Sequence, residues 1–357
     1  MPIQRSATVR ISVVIPCRNE IRHIRPFLDS LVHQDVGQIE MEILIADGMS
    51  TDGTRLILRE FEKRFSIVRS LDNPERIAST GLNRAIRESQ GEIILRMDVH
   101  TVYAPNYLRS CIEVLCETSA ENVGGPAMTR ADGYVAQAIA HAFHVPFATG
   151  GAKYRDPHYE GPVRTVPYGC WRKSTLERIG LFDEDLVRGQ DDELNFRIVS
   201  SGGTVWQSPR IMSWYRPRTS LPALFRQYFQ NGFWKVAIIR KHGRPASWRN
   251  LVPVLCLLVF IVLLLCTVAA SIDGSARGRN AFLSGLLVLA GSYFIASFAA
   301  ALSVARRMGW MFFLLLPVVF ATYQLSYAIG FLLALFYRPA RRNVPSRTQE
   351  VMTPITK

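Results

Sequence analysis

A carboxylate and an imidazole stand two positions apart, directly after the pattern of a buried strand. The apolar run 93–95 leads to Asp98 and His100, and alternate residues of an extended chain point the same way. Both side chains can therefore approach one ion, at the strand end where open α/β sheets bind ligands. The spacing suits a divalent cation held for a phosphate-bearing substrate. An ordinary solvated strand end has the same local pattern, so the surrounding segments must distinguish the two interpretations.

Acidic residues follow two other predicted strands. Glu20 comes after the first strand at 11–16, and Asp47 comes after the second at 41–46. With Asp98 after the fourth strand, three carboxylates are expected along one edge of the sheet. Such a set could hydrogen-bond the base and ribose of a nucleotide and hold a cation on its diphosphate.

A third acidic group opens a later predicted helix, where Asp191, Asp192 and Glu193 follow Gln190. Acidic residues in a first turn stabilise the helix dipole. Three in succession exceed that need, so we expect at least one to be functional.

Four cationic side chains are candidates for contacts with a diphosphate or an acceptor phosphate, with surface or capping roles as the alternative: Arg76, Arg172, Lys173 and Arg197.

The segments that position these residues alternate between strand and helix. Strands are predicted at 11–16, 41–46, 67–71 and up to Asp98, and amphipathic helices at 21–32, 56–65 and 77–89. Strict alternation predicts an α/β fold, Rossmann-like, with a mostly parallel sheet and helices on both faces. The stretch 149–167 is rich in Gly, Pro and Tyr, which predicts a long loop able to cover a site.

Several classes of protein are disfavoured. The chain lacks Gly-x-Gly-x-x-Gly after the first strand and the P-loop pattern, which argues against dehydrogenases and P-loop enzymes. Its six cysteines form no Cys-x-x-Cys pair, which argues against a disulfide framework or a zinc site and favours a reducing compartment. The formal net charge is +13, but many basic residues crowd the apolar segments, so we expect contacts with anionic lipid and no nucleic acid. These residues are Arg240, Lys241, Arg244, Arg249, Arg338, Arg341 and Arg342.

The last third of the chain has a lipid-like composition. Three uncharged runs, 251–271, 281–305 and 310–336, are each long enough to cross a hydrocarbon core of about 30 Å. We therefore predict an N-terminal domain at 1–240, including an interfacial helix from about 219, and a membrane region at 241–357 with a basic tail. The N-terminus lacks the apolar core of a signal peptide, so the N-terminal domain is expected in the cytoplasm.

The side of the membrane on which the tail lies stays open. Three crossings would put its basic residues outside, against the positive-inside tendency. The third run contains Pro317, Thr322 and Gln324, so a re-entrant or broken third helix is the alternative. That arrangement would return the tail to the cytoplasm.

Four motifs in a fixed order, at 13–20, 46–54, 96–100 and 189–197, resemble those of family 2 glycosyltransferases of the GT-A fold. The resemblance covers roughly residues 10–235. Together with the C-terminal membrane region, it is most similar to the glucosyltransferases that extend the lipid-linked repeat unit of succinoglycan-type exopolysaccharide.

The resemblance implies a role for each acidic residue. Glu20 and Asp47 would bind the uridine, with Asp47 on the base, and Asp98 would help to hold the donor. Asp98 and His100 would be the metal ligands in place of the family's Asp-x-Asp, and Asp191 would be the catalytic base. Imidazole at position 100 favours Mn²⁺ over Mg²⁺ as the divalent cation.

The family's Gln-x-x-Arg-Trp motif is incomplete in this chain. Gln230 and Trp234 are present, but Phe233 stands where processive members have arginine. This favours addition of one sugar per encounter. An aromatic helix that lies on the membrane is an equally good explanation of the segment.

These inferences predict an inverting, multi-pass enzyme of the bacterial inner membrane with a cytoplasmic catalytic domain. It would move a hexose, with glucose expected, from a UDP-sugar to a polyprenyl-diphosphate-linked oligosaccharide. The cation would act as a Lewis acid and Asp191 as a general base. Other polysaccharide-assembly enzymes are candidate partners. The alternatives are transfer to a polyprenyl monophosphate and a non-catalytic, nucleotide-binding membrane scaffold.

Overall fold

The computed structural model describes residues 10–37 and 39–337. The chain forms two compact units. The first contains the residues up to Thr129 and Lys153–Arg216, and the second contains Arg130–Ala152 and Pro217–Pro339. The predicted basic tail and the N-terminal segment 1–9 lie outside the described residues.

The first unit is built on an eight-stranded sheet with the order β3-β2-β1-β4-β9-β6-β10-β8. Its strands are β1 (Arg10–Cys17), β2 (Glu40–Asp47), β3 (Val68–Asp72), β4 (Ile93–Arg96), β6 (Asn122–Gly124), β8 (Gly161–Val163), β9 (Cys170–Arg172) and β10 (Val205–Gln207). Strands β1 to β4 pair in parallel, as do β6 and β10, whereas β9 and β8 are antiparallel to their neighbours. The predicted mostly parallel sheet is confirmed.

Helices cover both faces of this sheet. They are α1 (Ile24–Leu31), α2 (Thr54–Arg64), α3 (Ala78–Glu88), α4 (Tyr107–Thr118), α7 (Lys173–Ile179) and α8 (Gln190–Ser200). Alternation along β1 sends Val13 and Ile15 into the core formed with α1, α2 and α4, and Val14 into the core formed with α3, α7 and α8. The three-layer α/β architecture follows from this alternation.

Two local predictions were wrong. Strand β4 ends at Arg96, two residues before Asp98, and the chain turns into a second sheet made of β5 (Thr101–Tyr103), β7 (Met128–Thr129) and β11 (Ser213–Tyr215). The stretch 149–167 contains strand β8, which pairs with β10. Pro162 hides this strand from sequence analysis, because proline is confined to sheet edges and β8 is the last strand of the sheet.

The second unit is helical. It contains α5 (Tyr134–Phe143), α6 (Pro146–Thr149), α9 (Leu221–His242), α10 (Val252–Ile272), α11 (Ala276–Met308) and α12 (Leu315–Phe336). In the part of the chain that the structure describes, three helices are long and apolar enough to cross a membrane: Trp248–Ile272, Ala276–Met308 and Leu315–Phe336. The predicted interfacial helix is α9. It groups with these helices, so the boundary between the units falls at 216–217, whereas sequence analysis placed it at about 240.

Candidate active site

Asp98 lies just beyond the carboxyl end of β4, and its backbone is held by a buried tyrosine. The amide of Asp98 donates to the hydroxyl of Tyr103 at 2.7 Å. The carboxylate accepts two hydrogen bonds from Arg96, at 3.1 Å from Nε and 3.2 Å from Nη2. Since 18% of the side chain is exposed, Asp98 is oriented by protein contacts but stays accessible.

Arg96 joins Asp98 to the acidic helix start. Its Nη1 donates to the carboxylate of Asp191, while its Nε and Nη2 hold Asp98. Only 6% of the Arg96 side chain is exposed. Burial lowers the pKa of Arg96, but the charges of Asp191 and Asp98 outweigh burial and raise that pKa above its ordinary value. The guanidinium is therefore a permanent cation between two carboxylates.

Arg96 is not among the site residues predicted from the sequence. The available signal was a charged residue inside an apolar strand, two positions before Asp98 and so on the same face. Lys and Arg are almost never fully buried unless they are paired. That rule predicts acidic partners for Arg96, but it does not say which ones.

The three acidic residues at the start of α8 have three different environments. Asp191 contacts Arg96, and Asp192 accepts a hydrogen bond from the Thr165 hydroxyl at 3.1 Å. Glu193 is fully buried and pairs with Arg197 at 2.8 Å. The guanidinium of Arg197 also donates to backbone carbonyls that precede α8. Glu193 therefore anchors the helix, whereas Asp191 is linked through Arg96 to Asp98.

The pKa of Asp191 is raised to about 7. Burial raises it most, the charge of Arg96 lowers it, and the nearby carboxylates of Asp98 and Asp192 raise it further. The side chain is 27% exposed, so solvent and substrate can reach it. A carboxyl group with this pKa can both take up and release a proton near neutral pH.

The loops after β1 and β2 are tied to each other by hydrogen bonds. The backbone amide of Asn19 donates to the Ser50 hydroxyl at 2.8 Å, and the side-chain oxygen of Asn19 accepts from the Thr51 backbone amide at 2.9 Å. The amide of Glu20 donates to the Thr54 hydroxyl at 2.9 Å. These contacts bring the loop that carries Glu20 next to the loop that follows Asp47.

Asp47 is buried, and its carboxylate is used within its own loop. It accepts hydrogen bonds from the amide of Ser50 at 3.1 Å and from the Ser50 hydroxyl, and Arg55 lies 3.4 Å away. The buried Glu20 side chain lies 3.8 Å from Nδ1 of His100. The structure thus links Glu20 to His100 and Asp98 to Asp191, while Asp47 shapes the adjoining loop.

Three of the four cationic candidates have structural partners. Arg172 donates to the carbonyls of Ala120 and Leu115, and Lys173 donates to the carbonyl of Ser89. Arg197 is held by Glu193. Their contacts match the alternative of capping and packing, which leaves Arg76 as a candidate for phosphate contact.

The predicted metal ligands suit an open site that the substrate completes. Within residues 10–37 and 39–337, no group of three or more His, Cys, Asp or Glu side chains could enclose an ion. Asp98 and His100 are 18% and 40% exposed, so an ion on them would take further ligands from a diphosphate and water. Cations such as Mg²⁺ commonly bind through one or two protein ligands plus substrate phosphates. Asp98 and His100 therefore stay the predicted ligands of a substrate-bridged cation.

Comparison with known proteins identifies the family. Residues 12–179 match the family model of glycosyl transferase family 2. The succinoglycan biosynthesis protein ExoA of Rhizobium meliloti (strain 1021) is 30% identical over 243 residues, which cover 68% of this chain and 73% of that protein. The chain belongs to glycosyl transferase family 2.

Two further comparisons extend this result. A dolichyl N-acetyl-alpha-D-glucosaminyl phosphate 3-beta-D-2,3-diacetamido-2,3-dideoxy-beta-D-glucuronosyltransferase of Methanococcus voltae is 28% identical to this glycosyltransferase, covering 67% of this chain and 76% of that protein. The solved mannosyltransferase PcManGT from Pyrobaculum calidifontis, in complex with GDP-Man and Mn²⁺, has a TM-score of 0.59 at 18% identity and covers 92% of this chain and 88% of its own. At this identity the structural match concerns the fold, and the predicted GT-A fold is confirmed.

Proposed function

We propose that this glycosyltransferase moves a hexose from a UDP-sugar to a polyprenyl-diphosphate-linked oligosaccharide, with inversion at the anomeric carbon. The proposal rests on two ion pairs of Arg96, one with Asp98 and one with Asp191. Transfer needs one group that helps to stabilise the leaving diphosphate and another that takes the proton from the acceptor hydroxyl. Asp98 and Asp191, which lie far apart in the chain, meet these two needs at one place.

Asp191 is the proposed general base. It takes the proton from the acceptor hydroxyl while that oxygen bonds to the anomeric carbon and the bond to the diphosphate breaks. Its raised pKa suits proton uptake near neutral pH. Attack opposite the leaving group inverts the anomeric centre, so an α-linked donor yields a β-linked product.

The donor is assigned to the other side of the site. Glu20 and the loop shaped by Asp47 would contact the uridine, and Asp98 and His100 would hold a divalent cation. When bound, that cation supplies charge stabilisation for the leaving diphosphate. Arg96 orients Asp98 and keeps a positive charge beside the departing phosphates.

The proposed acceptor and location rest on the relatives and on the apolar helices. One relative is named for succinoglycan biosynthesis, and the other is named for transfer to a dolichyl-linked sugar phosphate. Both names fit a saccharide carried on a polyprenyl lipid. Three helices long enough to cross a membrane fit a multi-pass protein of the bacterial inner membrane, with the site on the cytoplasmic face and other assembly enzymes as partners.

The test is sugar transfer by the purified full-length protein. UDP-glucose and other labelled nucleotide sugars are each incubated with Mn²⁺ and either lipid-linked oligosaccharide or polyprenyl monophosphate. We expect label from UDP-glucose in the lipid-linked oligosaccharide, in a β-linkage. Label on polyprenyl monophosphate alone would favour the rival transferase. Nucleotide binding with neither transfer nor donor hydrolysis, under any donor, would favour a scaffold.

A further inference from the structure

Helices α9 and α12 run parallel and touch along their lengths. Near their starts, the rings of Tyr228 and Tyr323 lie 4.3 Å apart. At their ends, Arg240 donates to the carbonyls of Leu335 and Tyr337 at 2.7 and 2.8 Å. Contacts at both ends in the same order require the two helices to point the same way.

Two glycines let the backbones of these helices meet directly. A Cβ atom added to Gly232 of α9 would lie 2.0 Å from the carbonyl oxygen of Tyr327 in α12. A Cβ atom added to Gly330 of α12 would likewise lie 2.0 Å from the carbonyl oxygen of Phe229 in α9. Small residues at matched positions allow this close helix packing. The two helices therefore form one rigid pair that must take a single orientation relative to a bilayer.

Helices α10 and α11 form an antiparallel hairpin. They are joined by a short turn at 273–275, and the added Cβ of Gly278 would lie 3.5 Å from Ala270. Farther from the turn, the added Cβ of Gly285 would lie 3.3 Å from the Leu263 side chain. Large apolar side chains cover the exposed faces of both helices. Lipid is the environment that such faces require.

Helix α9 is too polar to cross a bilayer. It carries Arg226, Gln230, Asn231 and Lys235 in its sequence and is not one of the three helices apolar enough to span. Charged residues at the centre of a spanning helix are costly. Basic and aromatic residues on one helix are instead typical of the membrane interface.

Chain direction then decides the position of α12. If α10 and α11 both cross, α12 starts on the side of the membrane where α9 ends. A crossing α12 would carry α9 across in the same direction, because the two are parallel and in contact throughout. Helix α9 would then end on the side of the membrane opposite to the start of α12. If both helices crossed, the end of α9 and the start of α12 could lie on the same side only if the two helices were antiparallel. The parallel contacts exclude that arrangement.

We infer that α12 does not cross the membrane but lies with α9 at the lipid headgroup interface, so that within the described residues α10 and α11 alone cross. The apolar composition of α12 is explained by its packing against α9 and α5. Val319 and Phe320 are fully buried there. The aromatic residues of α9 predicted to meet lipid partly serve this packing instead, as the Tyr228 contact shows.

The inference is tested by comparing two engineered cysteines in the full-length protein. Cys116, Cys256 and Cys266 are first replaced by serine, since the other three cysteines are buried. Asp273→Cys marks the exposed turn between α10 and α11, and Phe336→Cys marks the end of α12, where the side chain is 90% exposed. Each variant is treated with a membrane-impermeant maleimide in intact cells and in inside-out vesicles.

Two crossings require the two cysteines to label from opposite sides. We expect Asp273→Cys to react in intact cells and Phe336→Cys to react only in inside-out vesicles. Reaction of both from the same side would establish a third crossing and overturn the inference. Failure of Phe336→Cys to react from either side would place this position in the acyl core and would also overturn the inference. The comparison holds for either orientation of the protein and does not depend on sugar transfer.

C-terminal reporter fusions to the chain with its natural cysteines give an independent check of the side of the membrane on which the C-terminus lies. Green fluorescent protein fused after the C-terminus folds only in the cytoplasm, whereas alkaline phosphatase is active only outside it. We expect a fluorescent fusion and an inactive phosphatase fusion. The reverse pattern, with Asp273→Cys labelled from outside, would again require a third crossing.

Discussion

The guanidinium of Arg96 in β4 donates to the carboxylate of Asp191 in α8, a residue 95 positions farther along the chain. The same guanidinium holds Asp98. One buried cation therefore fixes the geometry between the residue assigned to the donor and the residue assigned to the acceptor.

Replacing Arg96 should change catalysis and the titration of Asp191 together. In Arg96→Gln, loss of the positive charge raises the pKa of Asp191, so the acid limb of the kcat/KM profile should move to higher pH. Transfer at pH 7 should fall by about 10- to 100-fold, since a larger share of the base is protonated and Asp98 is no longer oriented. The measurement is the pH profile of sugar transfer.

The matched control is Arg25→Gln, which removes an exposed ion pair with Glu60. Such pairs contribute only about 0–1 kcal/mol, so transfer and its pH profile should stay unchanged. If Arg96→Gln merely lowers the yield of folded protein and leaves the pH limb in place, its role is structural only.

Asp191→Asn should abolish most transfer and leave nucleotide binding nearly intact. Loss of a general base typically costs about 10²- to 10⁴-fold in rate. Asp192→Asn is the internal control, because Asp192 accepts a hydrogen bond from the Thr165 hydroxyl. Transfer rates and the Kd for UDP decide the matter. Near-normal transfer by Asp191→Asn, or greater damage from Asp192→Asn, would refute the base assignment.

The raised pKa of Asp191 predicts opposite effects of pH on rate and stability. The base must be deprotonated, so kcat/KM should fall as pH drops below about 7. A folded pKa above the unfolded value stabilises the protein at low pH, and this contribution is lost as pH rises through about 7. Asp191→Asn should therefore show a smaller decrease in free energy of unfolding between pH 5 and about 8. Identical pH dependence of unfolding in the two proteins would contradict the shift.

The metal assignment predicts a change in ion preference. Chelation should stop transfer and Mn²⁺ should restore it. His100→Asp should remain active with its preference moved toward Mg²⁺, because carboxylate suits the harder ion. The measurement is transfer rate against the concentration of each ion. Full activity in a chelator would remove Asp98 and His100 from the list of metal ligands.

The contact between α9 and α12 predicts unequal effects of two glycine substitutions. Gly330→Ala should lower the Tm of the detergent-solubilised protein, because its methyl group would overlap the carbonyl of Phe229. Gly291→Ala in α11 meets nothing within 4 Å and replaces glycine by a better helix former. Its Tm should stay the same or rise. Equal Tm values for the two variants would argue against close backbone contact.

The amino-acid sequence determined the features that depend on local periodicity. The β-branched run at 11–16 and the apolar segment 41–46 predicted strands. Helical spacing of the apolar residues between them predicted the covering layers, since this period follows from backbone geometry alone. The uncharged apolar runs after residue 250 predicted three long helices because each run is long enough to cross a bilayer core. Motif order and spacing were enough to identify the family and to select Asp98 and Asp191 as candidate site residues.

Only the tertiary structure decided how residues distant in sequence are paired. Asp191, Asp192 and Glu193 look alike in the sequence, and their different surroundings depend on Arg96, Thr165 and Arg197. Likewise, composition makes α12 a candidate span, and only its parallel contact with α9 argues against a crossing. Such pairings depend on the three-dimensional path of the chain, because a side chain's partner across the fold leaves no periodic trace in its neighbours.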